Sequence, residues 1–320
     1  MDNNLHLEAE AFDSQIVERL KNGHIPDLRY TEKCTYFYNN IWRDPYYVKL
    51  SFGEIFELIR ASITAHVHAD SIEVLEVGCG PGFISLELAR AGFNVTGLDL
   101  SPGCISVAEH VAAGDPHRAE RGNLTYLADD FFSYKFDKKF DCICFVGALH
   151  HFKEQKMVMD RVQELLTENG IIVVHEPTRD RVTTANAAVV SLITQTLKVL
   201  GNYYDKTPVN NTEEGIQDGI QSLYRKMKYE ADSGEKLQSV NDNEAGFKEM
   251  FAALNDSFET VEFKERYAFF HDLIGGIRTQ EDEKSHQLAL LFKNFDRVLC
   301  DLGVIAPTEF MFVGKGRKKI

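Results

Sequence analysis

Apolar positions along this chain change rhythm twice. Ala9, Phe12, Ile16 and Leu20 recur about every four residues, the stripe of an amphipathic helix that Asn22-Gly23 would end. Leu50, Ile55, Leu58 and Ile59 mark one face of another helix. At Ile72 the pattern becomes alternating: apolar runs at Ile72–Val77, Asn94–Asp99, Leu124–Ala128, Phe140–Val146 and Ile171–His175 predict five strands. Helical spacing fills the gaps at Phe83–Ala91, from Pro102 to about Ala113 behind a Ser101 cap, and at Glu154–Leu166. Strands that are apolar throughout must be covered on both faces, which points to a parallel sheet between helical layers. Right-handed crossovers make such a sheet doubly wound.

After Pro177 the alternation stops. Ala185, Val189, Leu192, Ile193, Thr196, Leu197 and Leu200 predict a helix, another lies near Ile216–Tyr229, and polar stretches surround them. Roughly eighty residues separate the fifth strand from the next candidate, Thr260–Arg266, whereas ordinary connections run ~4–6 residues. An inserted helical cap is expected. Leu288, Leu291, Phe292, Phe295, Leu299 and Leu302 form a last helical stripe, and Glu309–Gly314 a last strand. The expected class is α/β, a doubly wound, seven-stranded, mostly parallel sheet. Its expected division is an N-terminal helical gate (1–70), a core (71–178 and 257–320) and an inserted cap (179–256).

Composition narrows the partners. The 320 residues carry a formal net charge of −14. That balance opposes a surface that tracks nucleic-acid phosphates, since such affinity rests on clustered Lys and Arg. The basic tail Lys315, Arg317, Lys318 and Lys319 reads as a solvated end. The polar, acidic start resembles no secretory or transit leader, and no apolar run reaches ~18 residues, so a cytoplasmic protein without a membrane span is expected. Six cysteines fit that reducing compartment. Cys142 and Cys144 should point to one side of a strand; with no second Cys or His pair at zinc spacing, no metal is expected.

The candidate chemistry centres on Val74 to Phe83, where a buried strand runs through Gly78-x-Gly80-x-Gly82 into a helix. Glycines there admit positive φ and let backbone approach a ligand. The spacing differs from the dinucleotide GxGxxG, which argues against a nicotinamide dehydrogenase. Asp99 ends the second strand, where a carboxylate can accept from both hydroxyls of a ribose. Asp129 and Asp130 close the third.

In series, "LEVGCGPG", "GLDLS", "ADDF", "FDCICFVGALHHF" and "LLTENGIIVVHEP" resemble the class I S-adenosylmethionine-dependent methyltransferases. They look most like the small-molecule branch, the ubiquinone/menaquinone-type enzymes and their natural-product relatives. The resemblance covers Ile72 to about Pro177. It implies that Gly78, Gly80 and Gly82 lie against the methionine part of the cofactor, and that Glu76 orients this turn or meets the ammonium group. Asp99 would hold the ribose, with Leu100 against the adenine. Asp129 or Asp130 would accept from the exocyclic amine beside Phe131, and Val146 would pass near the transferable methyl.

Methyl transfer is an in-line displacement, so alignment is the protein's main task, and a proton-bearing nucleophile also needs a base or a wet path. His150, His151 and Glu176 fall at the carboxyl edge of the sheet and are the candidates; His175, Tyr267 and His271 could reach the same pocket. Tyr36, Tyr38 and Trp42 could gate the site and face the sulfonium, and Arg43 could meet the cofactor carboxylate. The expected function is transfer of a methyl group to a small, partly apolar metabolite. The alternatives are a non-catalytic S-adenosylmethionine-binding protein or a nucleic-acid methyltransferase. The latter would show Asn/Asp-Pro-Pro-Tyr after strand four, where this chain reads Gly147-Ala148-Leu149-His150.

Overall fold

The computed structural model of the chain describes residues 3–34, 39–229 and 238–317. Seven strands form one sheet: β1 (Glu73–Val77), β2 (Asn94–Asp99), β3 (Leu124–Ala128), β4 (Phe140–Val146), β5 (Leu166–Pro177), β6 (Phe258–Arg266) and β7 (Glu309–Gly316). Their spatial order is β3-β2-β1-β4-β5-β7-β6. The first five pair in parallel, and β7 runs antiparallel between β5 and β6. The strand order reverses at β1/β4, and in open α/β sheets ligands bind at that switch point, outside the carboxyl ends of the strands.

The helices are α1 (Asn3–Lys21), α2 (Pro45–Val48), α3 (Glu54–His66), α4 (Phe83–Arg90), α5 (Pro102–Ala113), α6 (Gln155–Leu165), α7 (Thr184–Val199), α8 (Glu213–Met227), α9 (Phe247–Ser257), α10 (Phe270–Leu273) and α11 (Asp282–Asp301). The Ser101 hydroxyl accepts from Cys104 N–H at 2.9 Å, which caps α5 behind its N-terminal proline. Strand alternation sorts the core onto two faces. Leu75, Ile143, Phe145, Ile172, Val174, Phe310 and Phe312 meet α6 and α9. Val74, Val95, Ile171, Val173 and Val313 meet α3 and α4, and both Cys142 and Cys144 point to that side as buried thiols.

Two features differ from the sequence expectation. β5 begins at Leu166 rather than Ile171, because the chain leaves α6 directly into an irregular pairing in which Phe140 faces Leu166 and Cys142 faces Ile171. The glycine of Glu168-Asn169-Gly170 lies inside that strand, where a Cβ would stand 2.9 Å from Leu166 Cδ2 and 3.1 Å from Phe140 O. Residues 247–257 fold as a helix that periodicity had not marked. Met250 and Leu254 of α9 are fully buried against the sheet.

The long insertion builds its own cluster. Val182, Ala187, Val190 and Leu197 pack with Met227, Phe270, Leu273 and Ala289, so α7 and α8 share a core with α10 and α11. Among the described residues no helix is long and apolar enough to cross a membrane.

Candidate functional site

One cavity of about 1450 Å³ opens at the carboxyl edge of the sheet. A single drug-sized ligand usually occupies ~300–1,000 Å³, so two small molecules fit side by side. The wall comes from α1, the glycine turn, the ends of β2 to β5, and the insertion.

At the β1 end, the chain turns through three glycines with positive φ, +71° at Gly78, +52° at Gly80 and +78° at Gly82. Their roles divide. A Cβ at Gly78 would stand 2.5 Å from that of Ala148, so this residue lets the turn lie on the exit of β4. Gly80 lines the cavity and has open space where a Cβ would be, as does Gly147 at φ +65°. Gly82 is not on the cavity wall. It packs under the Tyr126 hydroxyl, which donates to Gly82 O at 2.9 Å, so its place is in the turn's foundation rather than against a ligand.

Two acids tie this turn together. Asp99 accepts from Gly80 N–H at 2.7 Å and from Ser101 N–H at 2.9 Å. Burial raises its pKa against the pull of those two N–H groups. Glu76 is 2% exposed and accepts a short hydrogen bond from Ser85 Oγ. Burial pushes its carboxyl up to about 8, so it stands neutral at pH 7 until a cation arrives. Asp129 accepts from Asp130 N–H at 2.7 Å, and Asp130 from Ser133 N–H at 3.0 Å, which folds the loop after β3. Leu100, Asp129, Asp130, Phe131 and Val146 all line the cavity. Trp42 lines it too, but as part of the packing: it stacks on Phe52 at 5.2 Å and meets Phe83 edge-on at 5.0 Å. Tyr36 and Tyr38 lie outside the described residues, and Arg43 faces Tyr47 instead of the cavity.

The β4 end is a second constellation. Glu176 is fully buried and is not on the wall. Its carboxylate accepts from Ala148 N–H at 2.8 Å, Leu149 N–H at 2.7 Å and His150 Nδ1 at 2.6 Å. It therefore shapes the turn after β4 and orients His150, and does not itself reach a ligand. Burial alone would lower the His150 pKa, but Asp242 and Glu176 outweigh it and raise the imidazole to about 9. His151 stands beside it with ring centroids 4.2 Å apart. Its Nδ1 lies 2.9 Å from Glu8 Oε1.

Glu8 comes from α1. It accepts from Ser239 Oγ at 2.7 Å and Asn241 N–H at 2.9 Å. Asp13, one turn further on, accepts from Gly103 N–H at 2.8 Å at the start of α5. The N-terminal helix is thus fastened across the cavity at two carboxylates. Further along the wall, His175, His271, Tyr267 and Glu309 gather, with His271 Nδ1 3.2 Å from Glu309. Burial alone would raise the Glu309 pKa, but His271 and His175 pull it well below the usual range.

Glu8, Asp242 and Glu309 had no sequence argument behind them. For Glu8 a signal existed: Glu8, Phe12, Gln15, Ile16 and Arg19 share helical spacing and all face the cavity, so a carboxylate sat on the apolar face of an amphipathic helix. The insertion also behaves differently from its composition. Leu192 and Leu200 point to solvent at 71% and 63% exposure, while Tyr203, Tyr204, Met227, Tyr229 and Lys198 reach the cavity.

A family profile described as a methyltransferase domain matches residues 52–255. The chain is 27% identical over 146 residues to a protein of Geobacillus sp. (strain WCH70) assigned as a methyltransferase, covering 44% of this chain and 55% of that one. It is 28% identical over 120 residues to the ubiquinone biosynthesis O-methyltransferase of Rickettsia akari (strain Hartford), covering 37% and 46%. The matched region thus spans about half the length of these curated relatives. In fold, the crystal structure of magnesium protoporphyrin IX methyltransferase from Synechocystis PCC 6803, with bound S-adenosylhomocysteine, superposes with a TM-score of 0.53 at 12% identity, over 98% of this chain and 100% of that one. A seven-stranded sheet of this order, a glycine turn backed by acids at the switch point, and a family match across more than half the sequence agree: the chain belongs to the methyltransferase-domain family.

Proposed function

We propose that the chain transfers a methyl group from S-adenosylmethionine to a small, partly apolar metabolite by in-line displacement. The observation that carries the reading is that one cavity joins an acid-backed glycine turn to the His150-His151 edge. The residues fit the cofactor: Gly80 and Gly147 leave open the space a side chain would fill, and buried, protonated Glu76 has a carboxyl that an ammonium group would ionise.

On this reading Gly78 and Gly80 cradle the methionine part, and Gly82 holds the turn in shape. Glu76 meets the ammonium, Asp99 the ribose hydroxyls, and Asp129 or Asp130 the adenine amine, with Leu100 and Phe131 flanking the ring. Trp42 closes this end. The bound sulfonium supplies an activated methyl on an excellent leaving group. The chain's own contribution is alignment, worth ~7–11 kcal/mol where two reactants are held in attack geometry. Val146 and Gly147 carry the wall from the cofactor half to the acceptor half. His151 is placed to take the acceptor's proton, and Glu176 positions its neighbour His150. The tyrosines and Met227 of the insertion contact the apolar body of the acceptor. The acidic surface and the free thiols suit a small-molecule enzyme of a reducing cytoplasm.

Calorimetric titration with S-adenosylhomocysteine tests this. One molecule per chain is expected, weakened about 10- to 100-fold by Asp99→Asn, the cost of a lost charged hydrogen bond. Folded protein that takes up none would overturn the reading.

A further inference from the structure

We propose that His150, His151 and Asp242 form a site for a divalent first-row transition ion, with Zn²⁺ as the best-suited occupant, at the acceptor end of the cavity. Each residue offers one ligand atom, and these atoms lie within 4.8 Å of one another. All three residues line the cavity.

One carboxylate oxygen there is unsatisfied as it stands. Asp242 is 2% exposed, and its Oδ2 is buried without a hydrogen-bond partner. Its other oxygen stands 3.6 Å from His150 Nε2. A buried polar atom left unpaired costs free energy, and this oxygen, aimed at two imidazoles, marks a missing partner. The partner's sign follows from the charges: Glu8, Glu176 and Asp242, all buried, converge on two imidazoles. A dication offsets that excess of carboxylate.

The donor set selects the metal. Two imidazole nitrogens and one carboxylate oxygen suit zinc and its neighbours, whereas Mg²⁺ and Ca²⁺ prefer oxygen alone. Glu176 accepts from His150 Nδ1 at 2.6 Å and so turns Nε2 toward Asp242. A carboxylate behind a histidine is the usual outer support of a metal-bound imidazole. Three protein ligands leave coordination positions facing the cavity, which is the pattern of catalytic rather than structural sites. On the methyltransferase reading, on which only this last step rests, an oxygen of the acceptor takes such a position, and the ion, by making that oxygen more acidic, replaces His151 in the role of base. No metal was expected from the sequence, where only Cys142 and Cys144 were weighed as ligands; the insertion brings Asp242 to the two histidines.

The test is calorimetric titration of chelator-treated full chain with ZnCl₂, and absorption spectroscopy with CoCl₂. One ion per chain is expected, with visible d–d bands for Co²⁺. Asp242→Asn and His151→Gln should each weaken binding at least tenfold, and Glu176→Gln, behind the ligand, about 10- to 100-fold. The same samples are titrated with S-adenosylhomocysteine, which also reports folding. Wild-type chain that binds the nucleoside but no stoichiometric ion overturns the metal site and leaves methyl transfer standing. So does unchanged ion binding in both Asp242→Asn and His151→Gln. Ion binding without nucleoside binding upholds the site and overturns the methyl-transfer reading.

Discussion

The two ends of the cavity are built in different ways. The β1–β3 end comes from short consecutive stretches: a strand, a glycine turn, a helix, and an acid at the tip of each of the next two strands. Its key bonds, such as Gly80 N–H to Asp99, join residues 19 apart in sequence. The β4–β5 end comes from four distant pieces. Glu8 of α1 meets Ser239 across 231 residues, His150 meets Glu176 across 26, and Asp242 arrives from the insertion. A site made of local pieces can be inherited as a motif. A site made of remote pieces changes whenever a loop or insertion does, so one cofactor end can serve many acceptor ends.

That contrast can be broken by substitution. The largest effect is expected for Glu176→Ala. It strips a buried carboxylate from the N–H groups of Ala148 and Leu149 and from His150, and breaking a buried charged network of this kind costs about 3–5 kcal/mol. Thermal or urea unfolding should register the loss. Little change in stability would show that the turn after β4 holds without it.

Gly78→Ala comes next. Its Cβ would meet that of Ala148 at 2.5 Å at a φ of +71°. Left-handed backbone costs about 1–2 kcal/mol for an L-residue and overpacking about 1–3. Stability should fall by about 2 kcal/mol or more, with S-adenosylhomocysteine affinity. At Gly80, where the space is open but φ is +52°, alanine should cost only the left-handed backbone, about 1–2 kcal/mol, and weaken the ligand.

Glu76 gives a pH signature. Its pKa in the folded chain is raised from 4.5 to about 8 by burial, so the native state holds a proton that the unfolded chain has lost. Ligand-free stability is therefore greatest below pH 4.5 for this group and falls as pH rises toward 8, with a slope of about 1.4 kcal/mol per pH unit where the two states differ by a full proton. Glu76→Gln should flatten that part of the curve measured by unfolding at several pH values. Uptake of an ammonium-bearing ligand by wild-type protein below pH 8 should release a proton, read from the buffer dependence of calorimetric heats.

The smallest effect belongs to the roof. Asp13→Ala removes the acceptor for Gly103 N–H and Ser101 Oγ, each such bond being worth about 1 kcal/mol. Global stability should drop by about 1–2 kcal/mol for the two bonds together, and limited proteolysis should cut α1 sooner. Unchanged cleavage would mean that the contacts of Glu8 and Gln15 hold the helix without it.

Much of the fold was legible because its signals are local. β2, β3 and β4 begin and end where the apolar runs do, and Ser101-Pro102 opens α5. α9 escaped because its sequence, with Phe247, Met250, Phe251 and Leu254 among polar residues, followed a long polar stretch and lay within a segment assigned to the cap. In the site, Asp99, Asp129 and Glu76 stood where strand ends put them. Glu176 was visible as an acid on the right edge, but only packing could say that its oxygens are consumed by the turn beneath the cavity.

The sequence by itself determined the sheet, its switch point and the glycine turn, because periods of two and of 3.6 and the freedom of glycine act over a few residues. Tertiary structure alone decided the acceptor end. Whether Glu8, His151 and Asp242 meet depends on how α1 and the insertion close over the sheet, and no short-range pattern carries that information.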